Sequence, residues 1–258
     1  MASWPHRRTI VLTVTLIALI SACATSPTGR RQLRLVSDAE MSQMGIAAFQ
    51  SMKKETPPSS NARVNRYVQC VAGAITREVG GNWEVQIFDS KDINAFALPG
   101  GKIGVYTGLL KVTANQDQLG AVIGHEVSHV LAGHSAARVS NEMAAQLGVS
   151  VLSSATGMSP DMIGMGANLL LLLPYSRGDE SEADVLGQQL MARAGFDPRE
   201  APKLWQNMMK ASNGAPPELL STHPSPSTRI QDLNANLPRL MPVYEQARAA
   251  GKRPDCRP

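Results

Sequence analysis

The stretch AVIGHEVSHVLAGH, residues 121–134, sets His125 and His129 four apart, with Glu126 directly after the first, among small and apolar residues. On an α-helix, residues four apart lie about 40° apart around the axis, so both imidazoles leave one face, one turn apart, and can reach one metal ion. Glu126 is rotated by about 100° from His125 and lies beside such a metal, where it touches water instead of ligating. Asn115 and Gln118 have the spacing of a helix cap, which predicts one long helix with His125 well inside it and His134 in its C-terminal half. H-E-x-x-H is a short pattern, and a buried helix can contain histidines by chance. A third ligand has to decide.

His134 is adjacent but badly placed. Along a continuing helix it is about 140° round from His129, and Ala132 and Ser135 stand where a metzincin needs glycine and histidine. It reads as a structural or surface histidine. Downstream, YSRGDESEADVLGQQLMARAG predicts a new helix after Pro174, with Ala183, Val185, Leu186, Leu190 and Met191 as its apolar positions. Glu180 and Asp184 share a face of it. A catalytic zinc takes three protein ligands and leaves one position open, and a His/His/Glu set is an established solution. Asp184 can accept a hydrogen bond from the outer nitrogen of a ligating imidazole. The plainer alternative is that Glu180, Glu182 and Asp184 form a solvated acidic first turn.

The ends of the chain bear on location. Arg7 and Arg8 precede an apolar run from Ile10 to Ile20, too short for a membrane span of ~20 residues and suited to a signal segment. Ile20, Ser21, Ala22 and Cys23 match a bacterial lipobox, so residues 1–22 are expected to be a signal peptide, Cys23 a lipid carrier and 23–36 a polar tether. The 235 residues after Cys23 suffice for one domain, assigned to 37–258. Without Arg7 and Arg8 the balance is 23 basic against 21 acidic residues, scattered along the chain, and four Phe and four Tyr offer little stacking surface. Nucleic acid is therefore excluded as a partner. Cys70 and Cys256 suggest one disulfide in an exported protein, with two free thiols as the alternative.

The remaining pattern predicts helices around a small sheet. Ser37 and Glu40 have capping-box spacing ahead of Met41, Met44, Ile46, Ala48 and Phe49. A second helix from Asn61 carries Val64, Tyr67, Val68, Val71 and Ile75. Residues 82–89 alternate as a strand does, and 94–110 give two short strands joined through Pro99, Gly100 and Gly101, which are turn residues and no phosphate loop. The apolar segment 162–173 is only twelve residues long and reads as buried or groove-lining.

HEVSH, PYSRGDESEAD and STHPSPSTRI, in that order, together with NAFALPGGKIGVYTGLL, resemble the HtpX-like zinc metallopeptidases (peptidase family forty-eight, a gluzincin group), most of all the periplasmic BepA- and LoiP-like branch and its mitochondrial Oma-type relatives. The resemblance spans most of the chain after Cys23. It implies an α+β, mainly helical zincin-like fold with a small sheet beside the H-E-x-x-H helix. It also implies one zinc ion per chain with Glu180 as third ligand, Glu182 being the runner-up. The implied activity is proteolysis of unfolded or misfolded envelope proteins at a lipid-anchored, outer-membrane address facing the periplasm.

Zinc on His125, His129 and Glu180 would activate a water and polarise a peptide carbonyl, with Glu126 as general base. Substrate is expected along a sheet edge formed by Asn94, Ala95, Phe96 and Ala97, held by backbone hydrogen bonds. His223, on a proline-stiffened loop, is expected to face the metal as an oxyanion donor or as a latch on the open position, with Arg229 anchoring the loop or binding substrate. The competing reading is an envelope chaperone or binding lipoprotein whose zinc is structural or silent, with Met158, Met162 and Met165 as a soft groove.

Overall fold

The computed structural model describes residues 23–149, 170–171, 173–211, 218–224 and 228–258. The signal segment, Met158, Met162, Met165 and most of 162–173 lie outside the described residues. Strands β1 (Cys23–Thr25) and β2 (Arg31–Leu33) form an antiparallel hairpin. Helices α1 (Asp38–Glu55) and α2 (Ala62–Arg77) follow, then β3 (Glu84–Phe88), β4 (Ala95–Leu98) and β5 (Lys102–Tyr106). Beyond a 3-10 turn come α3 (Gln116–Leu131), α4 (His134–Val149), α5 (Arg177–Arg193), α6 (Glu200–Lys210), the short α7 (Glu218–Thr222) and α8 (Arg229–Ala249). The fold is α+β and mainly helical, as expected. Among the described residues no helix is long and apolar enough to cross a membrane.

Local signals account for the elements. Ser37 and Glu40 close a capping box on α1, Asn61 caps α2, and Asn115 caps α3 by accepting from the Gln118 N–H. On α2, Tyr67, Val68, Val71 and Ile75 are buried against the three-stranded sheet and α3, where they join Ile87, Ile103, Val105, Val122 and Val127 in the main core. A second cluster packs Met41, Met44 and Phe49 of α1 on Phe88, Phe96 and Tyr106. Phe96 meets its aromatic neighbours at ring-centroid distances of 6.1–6.4 Å. Ile46 departs from the expected pattern and is exposed.

Strand order is β3-β5-β4, with β3 parallel and β4 antiparallel to β5, so β4 is an edge. The Tyr106 N–H donates to the Asn94 carbonyl, which with the Phe96–Gly104 register turns the backbone groups of residues 94, 96 and 98 toward β5. The alternation of an antiparallel ladder then turns those of Ala95 and Ala97 to the open side.

The long helix predicted from Asn115 onward instead ends at Leu131, because Gly133 takes φ 70°, the left-handed conformation that closes a helix, and α4 restarts at His134. Residues 23–36, expected as a polar tether, contain the β1–β2 hairpin. The Thr28 hydroxyl and Arg30 Nη1 bond Glu182, Gln32 donates to the Ala132 carbonyl, and the Leu35 N–H donates to Ser140, so the hairpin is docked on the helical body.

Helices α3 and α5 cross at two glycines. A Cβ on Gly187 would come within 2.7 Å of the His125 nitrogen, and one on Gly124 within 2.9 Å of the Gly187 carbonyl. Both neighbours are backbone and cannot rotate away. Gly187→Ala is expected to destabilise by ~1–3 kcal/mol or more through overpacking, and to weaken metal binding by pushing the two helices apart. Thermal melting with and without added zinc checks both effects.

Cys70 of α2 is bonded to Cys256, tying the C-terminal tail across 186 positions of sequence. Cys70→Ser with Cys256→Ser is expected to cost about 2–4 kcal/mol by releasing the unfolded chain, measured by denaturant titration.

Candidate active site

The close α3/α5 crossing brings one turn of each helix together inside the protein. From α3, His125, Glu126 and His129 are buried. From α5 come Glu180 and Asp184, and His223 approaches just after α7. Donor atoms of His125, His129, Glu180 and His223 all lie within 4.8 Å of one another. His125 Nε2 is 3.1 Å from His129 Nε2 and 3.3 Å from Glu180 Oε2, while His129 Nε2 is 3.4 Å from Glu180 Oε1. His223 Nδ1 is 3.0 Å from Glu180 Oε1 and 3.4 Å from His125 Nε2.

The outward nitrogens are engaged. His125 Nδ1 is 3.0 Å from Asp184 Oδ1, and His129 Nδ1 is 3.0 Å from His134 Nδ1. A carboxylate only accepts, so His125 carries its hydrogen on Nδ1 when neutral and turns a bare Nε2 inward. Four inward donors on such short spacings suit a cation at their centre. Burial and the acidic partners shape the electrostatics of the cluster. Burial would lower His125, but hydrogen bonds to Asp184 and Glu180 outweigh it and push it up to about 9. Burial and the neighbouring His125 charge hold His129 well below its ordinary value. Burial would raise Glu180, yet hydrogen bonds from His125 and His223 keep it far below the usual carboxylate range.

Glu126 stands apart from this pairing. Burial pushes its carboxyl up, against the pull of His223 and His125, and its Oε1 accepts no hydrogen bond, with His223 Nε2 3.5 Å away. It opens on a cleft of about 210 Å³ lined by Asn94, Ala95, Phe96, Ala97, Tyr175 and His223. Leu170 and Leu171, the described part of the 162–173 segment on this side, also line the cleft.

Arg229 lies behind the donor cluster. It is fully buried, with Nε 2.6 Å from Asp184 Oδ2, Nη2 2.6 Å from Glu180 Oε2, and its guanidinium 3.8 Å from the Trp205 ring centroid. That makes it an anchor behind the two carboxylates. His134 is likewise no surface residue. It is buried between His129 and Glu182, and burial lowers its imidazole. Glu182, the runner-up ligand, faces away from the donor cluster. Burial would raise it, but bonds from Ser26, Thr28 and His134 hold it at about 2.

Three participants had no sequence signal. Tyr175 lies on the His129 ring at 3.9 Å between centroids, the Arg138 guanidinium sits 3.9 Å from the centroid of the Tyr175 ring, and Trp205 meets the His125 ring edge-on at 5.4 Å. Each comes from a different element, brought in only by the tertiary fold.

Two histidines and a glutamate from crossing helices, with a buried carboxylate beside them and a sheet edge alongside, define a zincin-type peptidase site. The chain belongs to peptidase family M48, a family of zinc metallopeptidases, whose model matches residues 58–237. It is 35% identical over 221 residues to the mitochondrial metalloendopeptidase OMA1 of Arabidopsis thaliana, covering 83% of this chain and 45% of that protein. The beta-barrel assembly-enhancing proteases of Yersinia pestis and Escherichia coli are 30% and 25% identical, each over 80% of this chain and 45% of the relative. The chain thus spans about half the length of the curated relatives it matches.

Proposed function

We propose that the protein is a zinc metalloendopeptidase of the bacterial envelope, with zinc held by His125, His129 and Glu180. The observation that carries this reading is the buried, under-bonded Glu126 between the donor cluster and the open edge of β4. Zinc bound there supplies Lewis-acid polarisation of a peptide carbonyl and acidifies a water. Glu126 would accept a proton from that water on Oε1 and pass it to the leaving amine, a role its upward-shifted carboxyl suits. Asp184 holds His125 in the ligating tautomer, and Arg229 fixes Asp184 and Glu180 together. The outward backbone groups of β4 pair with an extended substrate through Ala95, with little demand on side chains, which suits misfolded envelope proteins as substrates. The lipobox at Cys23 supports a lipid anchor, and the docked hairpin then keeps the site near the membrane surface. A place in the envelope also fits the beta-barrel assembly for which the relatives of Yersinia pestis and Escherichia coli are named. Turnover of an unfolded protein that stops with chelator and returns with zinc is the expected result; turnover indifferent to chelator refutes the proposal.

His223 favours a second state. With its Nδ1 among the four converging donors, four protein ligands close the site, as in a structural zinc. A silent-zinc binding protein and a latched peptidase share this geometry. His223→Ala separates them, because it is expected to retain zinc and raise turnover several-fold in a latched enzyme. If turnover stays at zero, the binding-protein reading holds; if it falls from a measurable level, His223 serves the oxyanion instead.

A further inference from the structure

Resting on the assignment of His129 as a zinc ligand, we propose that His134 and Glu182 form a positioning relay that sets the tautomer of His129, and that the N-terminal hairpin holds this relay in place. His134 Nε2 is 3.2 Å from Glu182 Oε2, and a carboxylate can only accept, so the hydrogen sits on Nε2. The neutral His134 ring then turns a bare Nδ1 toward His129, 3.0 Å away, and His129 Nδ1 must donate. That leaves His129 Nε2 bare and aimed at Glu180 and His125. Asp184 does for His125 directly what Glu182 does for His129 through an intervening imidazole.

Glu182 owes its own orientation to the hairpin. Its Oε1 accepts from the Thr28 hydroxyl at 2.6 Å and the Thr28 N–H at 3.2 Å, and its Oε2 accepts from Arg30 Nη1 at 2.9 Å as well as from His134. Each of these groups donates, so the carboxylate presents only an acceptor to His134. Arg30 also reaches Asp179 at 2.9 Å, fixing the hairpin to the first turn of α5. The segment that begins at Cys23 is in this way linked by hydrogen bonds to a zinc ligand.

Zinc affinity by chelator competition tests the relay. Outer partners of metal-bound histidines typically set affinity by roughly 10- to 100-fold, and His134→Phe, which leaves His129 Nδ1 without an acceptor, is expected to weaken zinc by that much. His134→Gln keeps an acceptor and a donor at nearly the ring-nitrogen separation and is expected to stay near wild type. Arg30→Ala is expected to weaken zinc by roughly three- to tenfold in the wild-type background and not at all beside His134→Phe, the signature of one coupled path. Two-bond ¹H–¹⁵N spectra of the zinc-loaded wild type, which require no variant to fold, are expected to show His129 protonated on Nδ1 and His134 on Nε2. Unchanged affinity in His134→Phe, equal loss in His134→Gln, additive loss with Arg30→Ala, or the opposite tautomers each overturn the relay. His129→Ala is the control: if it retains full zinc affinity, the ligand assignment has failed rather than the relay.

Discussion

Glu126→Gln is expected to leave zinc bound while turnover of an unfolded protein falls by ~10²–10⁴-fold, the usual worth of a positioned general base. The amide keeps the shape of the side chain but cannot take a proton. Zinc should stay because Glu126 lies outside the group of four converging donors. A second consequence comes from its environment. Its carboxyl is raised by burial and Oε1 has no hydrogen-bond partner, so the charged form costs stability at neutral pH, and a neutral amide removes that cost. In chelator, the variant should therefore melt at or above the wild-type temperature. Zinc content by atomic absorption, peptide turnover and melting curves decide together: loss of zinc in parallel with activity would make Glu126 a ligand, and unimpaired turnover would remove it from the chemistry.

How much of this arrangement could be read beforehand differs by element. The H-E-x-x-H helix, the caps at Ser37, Asn61 and Asn115, and the edge position of β4 follow from local spacing and turn chemistry, and local signals survive into the fold. On α5 the pattern misleads. Val185 and Leu186 are only partly buried, whereas Glu180, Glu182, Asp184 and Gln188 are buried, because the face that meets α3 is polar and satisfied by histidines and arginines from elsewhere. No periodicity scan ranks such a face as interior. The break at Gly133 is of the same kind. Helical composition continues past it, and only the left-handed glycine brings His134 back against His129. Tyr175 and Arg138 sit near the motifs in sequence and Trp205 far from them, but no local pattern marks their side chains, so only the assembled structure points to all three.

Glu180→Gln is expected to do the reverse of Glu126→Gln, weakening zinc and destabilising the metal-free protein. As one of a small ligand set it carries a fraction of the ~10–16 kcal/mol that such sites contribute, so losing its charge should weaken zinc by about two orders of magnitude. The stability effect has a separate origin. Arg229 is buried and rests on two carboxylates, Glu180 at 2.6 Å and Asp184 at 2.6 Å, with Nη1 already lacking a hydrogen bond. Removing one negative charge leaves a buried guanidinium half-compensated, and breaking such a pair costs up to ~3–5 kcal/mol. For a domain of this size that is a fall of roughly 6–20 °C in melting temperature, visible in chelator where zinc contributes nothing. Glu180→Gln with Arg229→Met should recover much of the melting temperature, because both charges are gone, but none of the zinc affinity. A double variant that regains zinc, or a single variant as stable in chelator as wild type, would mean that Glu180 is not at once the metal's ligand and the arginine's counter-ion.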